Sequence, residues 1–111
     1  MSLRNLQSDF CLAASKLIQY AFAQGYELTF GDAYRDPRVH GAMGEKVAYG
    51  HAQSKHKVRL AVDLNLFVNG AYITSGTAEY TDLGKYWKSL GGIWGGDFRI
   101  KDYNHFEWPY R

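Results

Sequence analysis

Three residues of the chain could together hold a metal ion. They are His56 and Asp63 in "SKHKVRLAVD" and His105 in "DYNHFEW". Two histidines and one aspartate with an open fourth position are the ligand set of a catalytic zinc. A further carboxylate, Asp102, lies three residues before His105, so the two can face the same way on a helical turn, and Asp102 is well placed as the base for a water molecule. Metal-assisted hydrolysis is the chemistry that such a set performs.

The segment around Asp63 has the pattern of a strand with one face in a core. Val58, Leu60, Val62, Leu64 and Leu66 alternate with Arg59, Ala61, Asp63, Asn65 and Phe67, at the period of two that a half-buried strand requires. Asn69 and Gly70 then predict a type I′ hairpin turn, because both central positions of that turn need a positive φ. His56 lies seven residues before Asp63, and in a straight strand this odd spacing would put the two on opposite faces. We therefore expect His56 on a bend that leads into the strand.

A carboxylate inside such a strand needs a compensating partner. A buried lone carboxylate is costly, and it usually neutralises, pairs or binds a metal. On the residues alone, an ion pair with Arg35 or Arg59 is the preferred explanation of Asp63. Each histidine, taken singly, is best interpreted as lying at the surface or at the edge of the core. The four histidines are His40, His51, His56 and His105.

The N-terminal half predicts one helix and one strand that could position these residues. Apolar residues recur at spacings of three and four over 3–24, which indicates an amphipathic helix ended by Gly25. The alternation from Tyr26 to Arg35 predicts a strand with Arg35 on its small, polar face. Residues 38–53 carry three glycines and little periodicity, so we expect a long loop there, and loops of that length are often functional.

The C-terminal half predicts a short helix and two strands. Thr81 or Asp82 can cap the helix, and the second strand is expected over 105–108. Helices packed on a small antiparallel sheet give the α+β class. We expect one domain that covers residues 1–111, and a monomer.

Composition excludes several classes of protein. A net charge of +2 in 111 residues, with both signs spread along the chain, is far short of the basic footprint of a nucleic-acid binder. No apolar run approaches the roughly 18 residues of a membrane span. The N-terminus lacks the apolar segment and cleavage site of a signal peptide, so we expect synthesis in the cytoplasm. Cys11 is the only cysteine, which excludes an internal disulfide and leaves histidine and carboxylate as the metal ligands.

Two motifs carry a resemblance to a known family. "SKHKVRLAVD" resembles the Ser-x-His-(six residues)-Asp motif of the zinc peptidases that cut bacterial cell-wall peptides. These include the D-alanyl-D-alanine carboxypeptidases and the phage endolysins with L-alanyl-D-glutamate peptidase activity. "WGGDFRIKDYNHFEW" is similar to the endolysin branch, in which a Trp-Gly-Gly-Asp segment leads into Asp-x-x-His-Phe-Glu. The resemblance extends from about Tyr34 to Trp108.

The resemblance implies a zinc ion held by His56, Asp63 and His105, with Asp102 as general base and then general acid. It also implies the hedgehog-type α+β fold of these metallopeptidases. The substrate would be the stem peptide of peptidoglycan, and the activity that of an L-alanyl-D-glutamate endopeptidase. The alternatives are a D-alanyl-D-alanine carboxypeptidase and a non-catalytic module that binds cell-wall peptides. A phage or prophage lysis protein, which reaches the wall once the membrane is permeabilised, would need no signal peptide.

Two further residues take roles only through the resemblance. Arg35 occupies the place of a family arginine that contacts the substrate or stabilises the oxyanion, and Ser54 matches the motif serine, which is expected to hydrogen-bond the substrate or a ligand. The chain departs from the family pattern at Arg59, where a glycine is common, and at His40, where a glutamine often stands. Asn104 replaces a proline often seen before the final histidine.

Overall fold

A computed structural model describes residues 2–31 and 55–110. Arg35, Ser54 and the predicted loop over 38–53 lie outside these ranges. The described residues form helices and an antiparallel sheet, so the predicted α+β class is confirmed. In chain order the elements are α1 (Leu3–Ala23), β1 (Glu27–Phe30), a first 3-10 helix (Lys55–Val58), β2 (Ala61–Val68), β3 (Ala71–Ile73), α2 (Ala78–Ser89), β4 (Ile93–Trp94), a second 3-10 helix (Gly95–Asp97) and β5 (His105–Glu107).

Strand β2 is the centre of the sheet. Antiparallel β1 pairs with one edge of β2, and the other edge is shared by two strands. β5 pairs with residues 61–63 of β2, whereas β3 pairs with residues 66–68, and β4 completes the sheet by pairing with β5. β2 therefore changes partners along one edge, directly after the position where Asp63 lies opposite His105.

The predicted alternation along β2 is confirmed. Val62, Leu64 and Leu66 are at most 5% exposed and pack in one core with the buried faces of α1 and α2. Asp63 and Asn65 alternate with them and are only partly buried. Because successive side chains of a strand point to opposite faces, the carboxylate lies on the face of the sheet away from the core.

The helices begin and end at local signals, with one correction. Helix α2 begins at Ala78 with Thr77 as its N-cap, so the predicted cap at Thr81 or Asp82 is wrong. The Asp82 carboxylate instead accepts hydrogen bonds from the Tyr20 and Tyr26 hydroxyls at 2.6 and 3.0 Å, which ties α2 to α1 and to the start of β1. A tertiary contact thus uses the Asp82 side chain, which the sequence pattern had offered as a helix cap.

Neither helix in the described ranges is long and apolar enough to cross a bilayer.

A tight bend replaces the start of the strand predicted over 58–67. The first 3-10 helix contains His56, and the Leu60 backbone N–H donates to the Lys55 carbonyl at 2.9 Å. Arg59 then adopts a φ of 58°, in the left-handed region, so the strand proper begins only at Ala61. This bend is what the odd spacing between His56 and the strand carboxylate requires. The predicted hairpin is also confirmed, since Asn69 and Gly70 have φ values of 52° and 80°.

The conformation of Arg59 explains why a glycine suits this position. Without a Cβ, glycine enters the left-handed region freely, whereas other residues carry a steric cost of roughly 1–2 kcal/mol. In this chain the position at which the family commonly has a glycine therefore adopts a positive φ with an arginine.

We predict that Arg59→Gly is more stable than Arg59→Ala by about 1 kcal/mol, because both variants lose the arginine side chain and only glycine is relieved of the left-handed cost. Urea unfolding of the two variants measures the difference. An alanine variant as stable as the glycine variant would contradict the assigned backbone conformation.

Candidate metal centre

Three side chains converge on the face of the sheet away from the core. Asp63 on β2 lies opposite His105 on β5 in the antiparallel register, and His56 reaches the same place from the first 3-10 helix. The His56 Nε2 and the His105 Nδ1 each lie 3.2 Å from the Asp63 Oδ1. One nitrogen or oxygen atom of each residue lies within 4.8 Å of the other two. The structure therefore brings together the three residues that the sequence singled out as metal ligands.

The dimensions and the chemistry of this group fit zinc. Zinc–nitrogen and zinc–oxygen bonds are about 2.0–2.2 Å long, so two ligand atoms of a tetrahedral site are roughly 3.3 Å apart. The separations of 3.2 Å between Asp63 and each imidazole are close to that value. Two imidazoles and one carboxylate are also the number and kind of protein ligands that catalytic zinc sites use, with the fourth position left for water or substrate.

The group is built to hold positive charge. Burial raises the pKa of Asp63, but hydrogen bonds from His105 and His56 outweigh it and lower the pKa to about 2. Burial lowers the pKa of His105, but hydrogen bonds to Asp63 and Glu107 and the charges of both carboxylates raise it to about 9. A cation between the imidazoles and Asp63 is therefore favoured, whether it is a proton or a metal ion.

Glu107 fixes the orientation of the His105 ring. The His105 Nε2 lies 2.7 Å from the Glu107 Oε1, and the Lys55 Nζ lies 2.7 Å from the Glu107 Oε2. Burial raises the pKa of Glu107, whereas hydrogen bonds from His105 and Lys55 lower it, and the net shift is downward. With its Nε2–H donating to this carboxylate, the ring presents Nδ1 to Asp63, as in the carboxylate–histidine–zinc arrangements of metalloproteins.

The sequence alone did not single out Glu107. Its signal was the spacing of two from His105 on a predicted strand, which puts both side chains on one face. That spacing is common in strands, and Lys55 comes from a distant part of the chain, so the pair is recognised only in the folded protein.

Asp102 lies at the rim of the group, one turn before β5. The His105 backbone N–H donates to the Asp102 carbonyl at 3.2 Å, and the Asp102 Oδ2 is 3.9 Å from the His105 Nδ1. The Asp102 side chain is 52% exposed, whereas that of Asp63 is 16% exposed. A carboxylate that is close to the ligands and open to water suits a base that exchanges protons with substrate. Arg35, Ser54, His40 and His51 lie outside the described residues.

We predict that Glu107→Leu weakens zinc binding by about 10- to 100-fold, because the His105 ring loses the acceptor that holds its Nδ1 toward the metal. Glu107→Gln keeps an amide oxygen that can accept from the ring and should lose less. Competition with a chromogenic chelator measures both affinities, with exposed Glu27→Leu on β1 as the control. A leucine variant with the affinity of the wild type would show that Glu107 does not position the ligand.

Comparisons with known proteins give one family match and one structural neighbour. The family model described as D-alanyl-D-alanine carboxypeptidase matches residues 48–108, a range that includes the three candidate ligands and Asp102. Among solved structures, the Serratia marcescens L-Ala D-Glu endopeptidase ChiX has a similar fold, with a TM-score of 0.64 and 19% sequence identity. That likeness covers 98% of this chain and 84% of the ChiX chain. A search of curated proteins finds no match.

The two findings differ in what they show. At 19% identity, the likeness to ChiX shows the fold alone. The family model, in contrast, spans more than half of the chain, including both of the motifs on which the resemblance was founded. The chain therefore belongs to the D-alanyl-D-alanine carboxypeptidase family of peptidases.

Proposed function

We propose that the chain is a zinc metallopeptidase that hydrolyses the stem peptides of bacterial peptidoglycan, as an L-alanyl-D-glutamate endopeptidase of the endolysin type. The observation that carries the proposal is the convergence of His56, Asp63 and His105 with the exposed carboxylate of Asp102 beside them. Family membership supports a peptide-bond hydrolase. A module that only binds peptide would have no need of a base at this position.

The proposed mechanism assigns a separate task to each side chain. His56, Asp63 and His105 would hold zinc, which when bound supplies a Lewis acid that polarises the scissile carbonyl and acidifies water. Asp102 accepts the proton of the attacking water and then delivers it to the leaving amine, so one carboxylate serves as base and acid in turn. Glu107 holds the His105 ring in the tautomer that the site requires.

Two proposed roles rest on the resemblance. Arg35 would face the oxyanion that develops on the carbonyl oxygen, where a fixed positive charge contributes most at the transition state. Ser54 would hydrogen-bond the substrate or a ligand. We propose that residues 1–111 form one catalytic domain, encoded by a phage or prophage and acting on the wall after release.

A second candidate activity is removal of the terminal D-Ala, as a D-alanyl-D-alanine carboxypeptidase. The description of the matching family favours it, whereas the name of the similar ChiX structure favours cleavage between L-Ala and D-Glu. Both reactions would use the same ligands and the same base, so they differ only in which part of the stem peptide occupies the cleft.

We predict that Asp102→Ala keeps bound zinc but lowers turnover at least 100-fold, the usual contribution of a positioned acid and base. His56→Ala should lose both zinc and turnover, because a ligand is removed. Digestion of purified peptidoglycan, with zinc content measured on the same samples, tests both variants. Asp9→Ala, at an exposed position of α1, is the control. Zinc retained by His56→Ala would contradict the ligand assignment.

The products identify the bond that is cut. New D-Glu amino termini that are absent from the Asp102→Ala digest would establish the endopeptidase, and free D-Ala would establish the carboxypeptidase. Zinc-loaded wild-type protein that releases neither product would overturn the enzymatic proposal and favour a module that binds cell-wall peptides.

A further inference from the structure

A cleft of about 250 Å³ opens beside Asp102, on the edge of the sheet where β2 changes partners. The end of β3, with Tyr72, and the Thr74 that follows it form one side of the cleft, and the segment 101–104 that leads into β5 forms the other. The gap exists because β5 pairs with β2 only up to Asp63, whereas β3 begins to pair at a later residue of the same edge. The volume is somewhat below the roughly 300 Å³ at which pockets for drug-sized ligands begin, so it suits a short stretch of peptide.

The wall formed by 101–104 is held in place by its backbone. The Asp102 N–H donates to the second 3-10 helix at 3.0 Å, and the Tyr103 carbonyl accepts from the Trp94 indole at 2.8 Å. The Asn104 carbonyl accepts from the backbone of β2, also at 2.8 Å. A wall fixed in this way can bind a ligand without losing the conformational entropy that a flexible segment loses on binding.

If Asp102 has the proposed catalytic role, its position determines which side of the scissile bond occupies the cleft. The group that protonates the leaving amine must lie within hydrogen-bond reach of that nitrogen. Asp102 lines the cleft, so a substrate whose scissile nitrogen is next to Asp102 extends its leaving side into the cleft. The cleft is then the subsite for the residue whose amine is released.

Lys101 supplies the charge of this subsite. It is the only basic residue among those that line the cleft, and it forms no ion pair with other residues in the ranges 2–31 and 55–110.

In both candidate reactions the leaving residue carries a carboxylate on the carbon that bears the amine. D-Glu keeps a free α-carboxylate because the stem peptide continues through its γ-carboxyl, and a terminal D-Ala ends in one.

We propose that this cleft binds the leaving-side residue and that Lys101 holds its α-carboxylate. The inference rests on the proposed function and specifies the substrate feature that the site recognises. Lys101 is exposed to solvent, so its contribution is that of a solvent-exposed ion pair, up to about fivefold in affinity.

The test compares peptides that differ in one group. The first pair is the stem tetrapeptide with D-Glu and the same peptide with D-isoglutamine, in which the α-carboxylate is a carboxamide. The second pair ends in D-Ala-D-Ala with a free or an amidated terminus. Steady-state kinetics with zinc-loaded wild type, Lys101→Met and Lys101→Arg give KM and kcat for each, and Lys16→Met on α1 is the control.

We expect the wild type to prefer the carboxylate form of one pair about fivefold, through KM, and Lys101→Met to lose that preference with kcat unchanged. Lys101→Arg, which keeps the charge, should retain most of it. Preference within the first pair identifies D-Glu as the source of the carboxylate, and preference within the second identifies terminal D-Ala. Cleavage without preference, or preference that survives in Lys101→Met, would overturn the proposal.

Equilibrium binding separates this proposal from the proposed function. The same pairs are titrated against Asp102→Asn and against Asp102→Asn combined with Lys101→Met, so that no turnover is needed. One possible result is that the wild type cleaves no peptide, and that the carboxylate peptides nevertheless bind better than the amides in a Lys101-dependent way. The subsite is then correct and the enzymatic proposal fails. If binding is independent of Lys101, the subsite is wrong whatever the wild type cleaves.

Discussion

The structure depends on a carboxylate that is placed on a central strand and must be compensated there. Asp63 is only 16% exposed, and an isolated charge at such a position would be costly. His56 and His105, which belong to two different elements, compensate this charge, each with a ring nitrogen 3.2 Å from the Asp63 Oδ1. His105 is in turn held by Glu107, and Glu107 by Lys55, so alternating charges extend from the first 3-10 helix to the end of β5. The proposed zinc ion would take the place of a proton between Asp63 and the histidines.

Strand β2 serves the core and the site at the same time. Leu64 and Leu66 fill the core on one face, while Asp63 projects from the other. Because the strand is anchored by its buried face, the carboxylate cannot slip in register without exposing the core, and this fixes its position relative to His105. The change of partner along its edge adds the cleft beside Asp102. One strand thus sets the geometry of the candidate ligands and of the cleft proposed to bind peptide.

The residues differ in exposure to solvent according to their proposed tasks. His56 and His105 have side chains that are 2% and 9% exposed, and their contacts hold them in place, as a metal site requires. Asp102, at 52% exposure, has room to exchange protons while its backbone is tied to the second 3-10 helix. The division between buried candidate ligands and an accessible carboxylate is the physical basis for proposing metal binding for the first group and proton transfer for the second.

The sequence by itself determined those features that depend on neighbours along the chain. The alternation around Asp63, the Asn69-Gly70 turn and the bend required before the strand follow from backbone geometry and periodicity, and the two motifs indicated the family. The tertiary structure decided which distant groups meet. Asp82, one of two residues expected to cap α2, instead accepts hydrogen bonds from two tyrosines, and Glu107 pairs with Lys55. Such contacts join residues about 50 positions apart, as with Lys55 and Glu107, and no local spacing encodes them, because the free energy of a long-range contact depends on how whole elements pack.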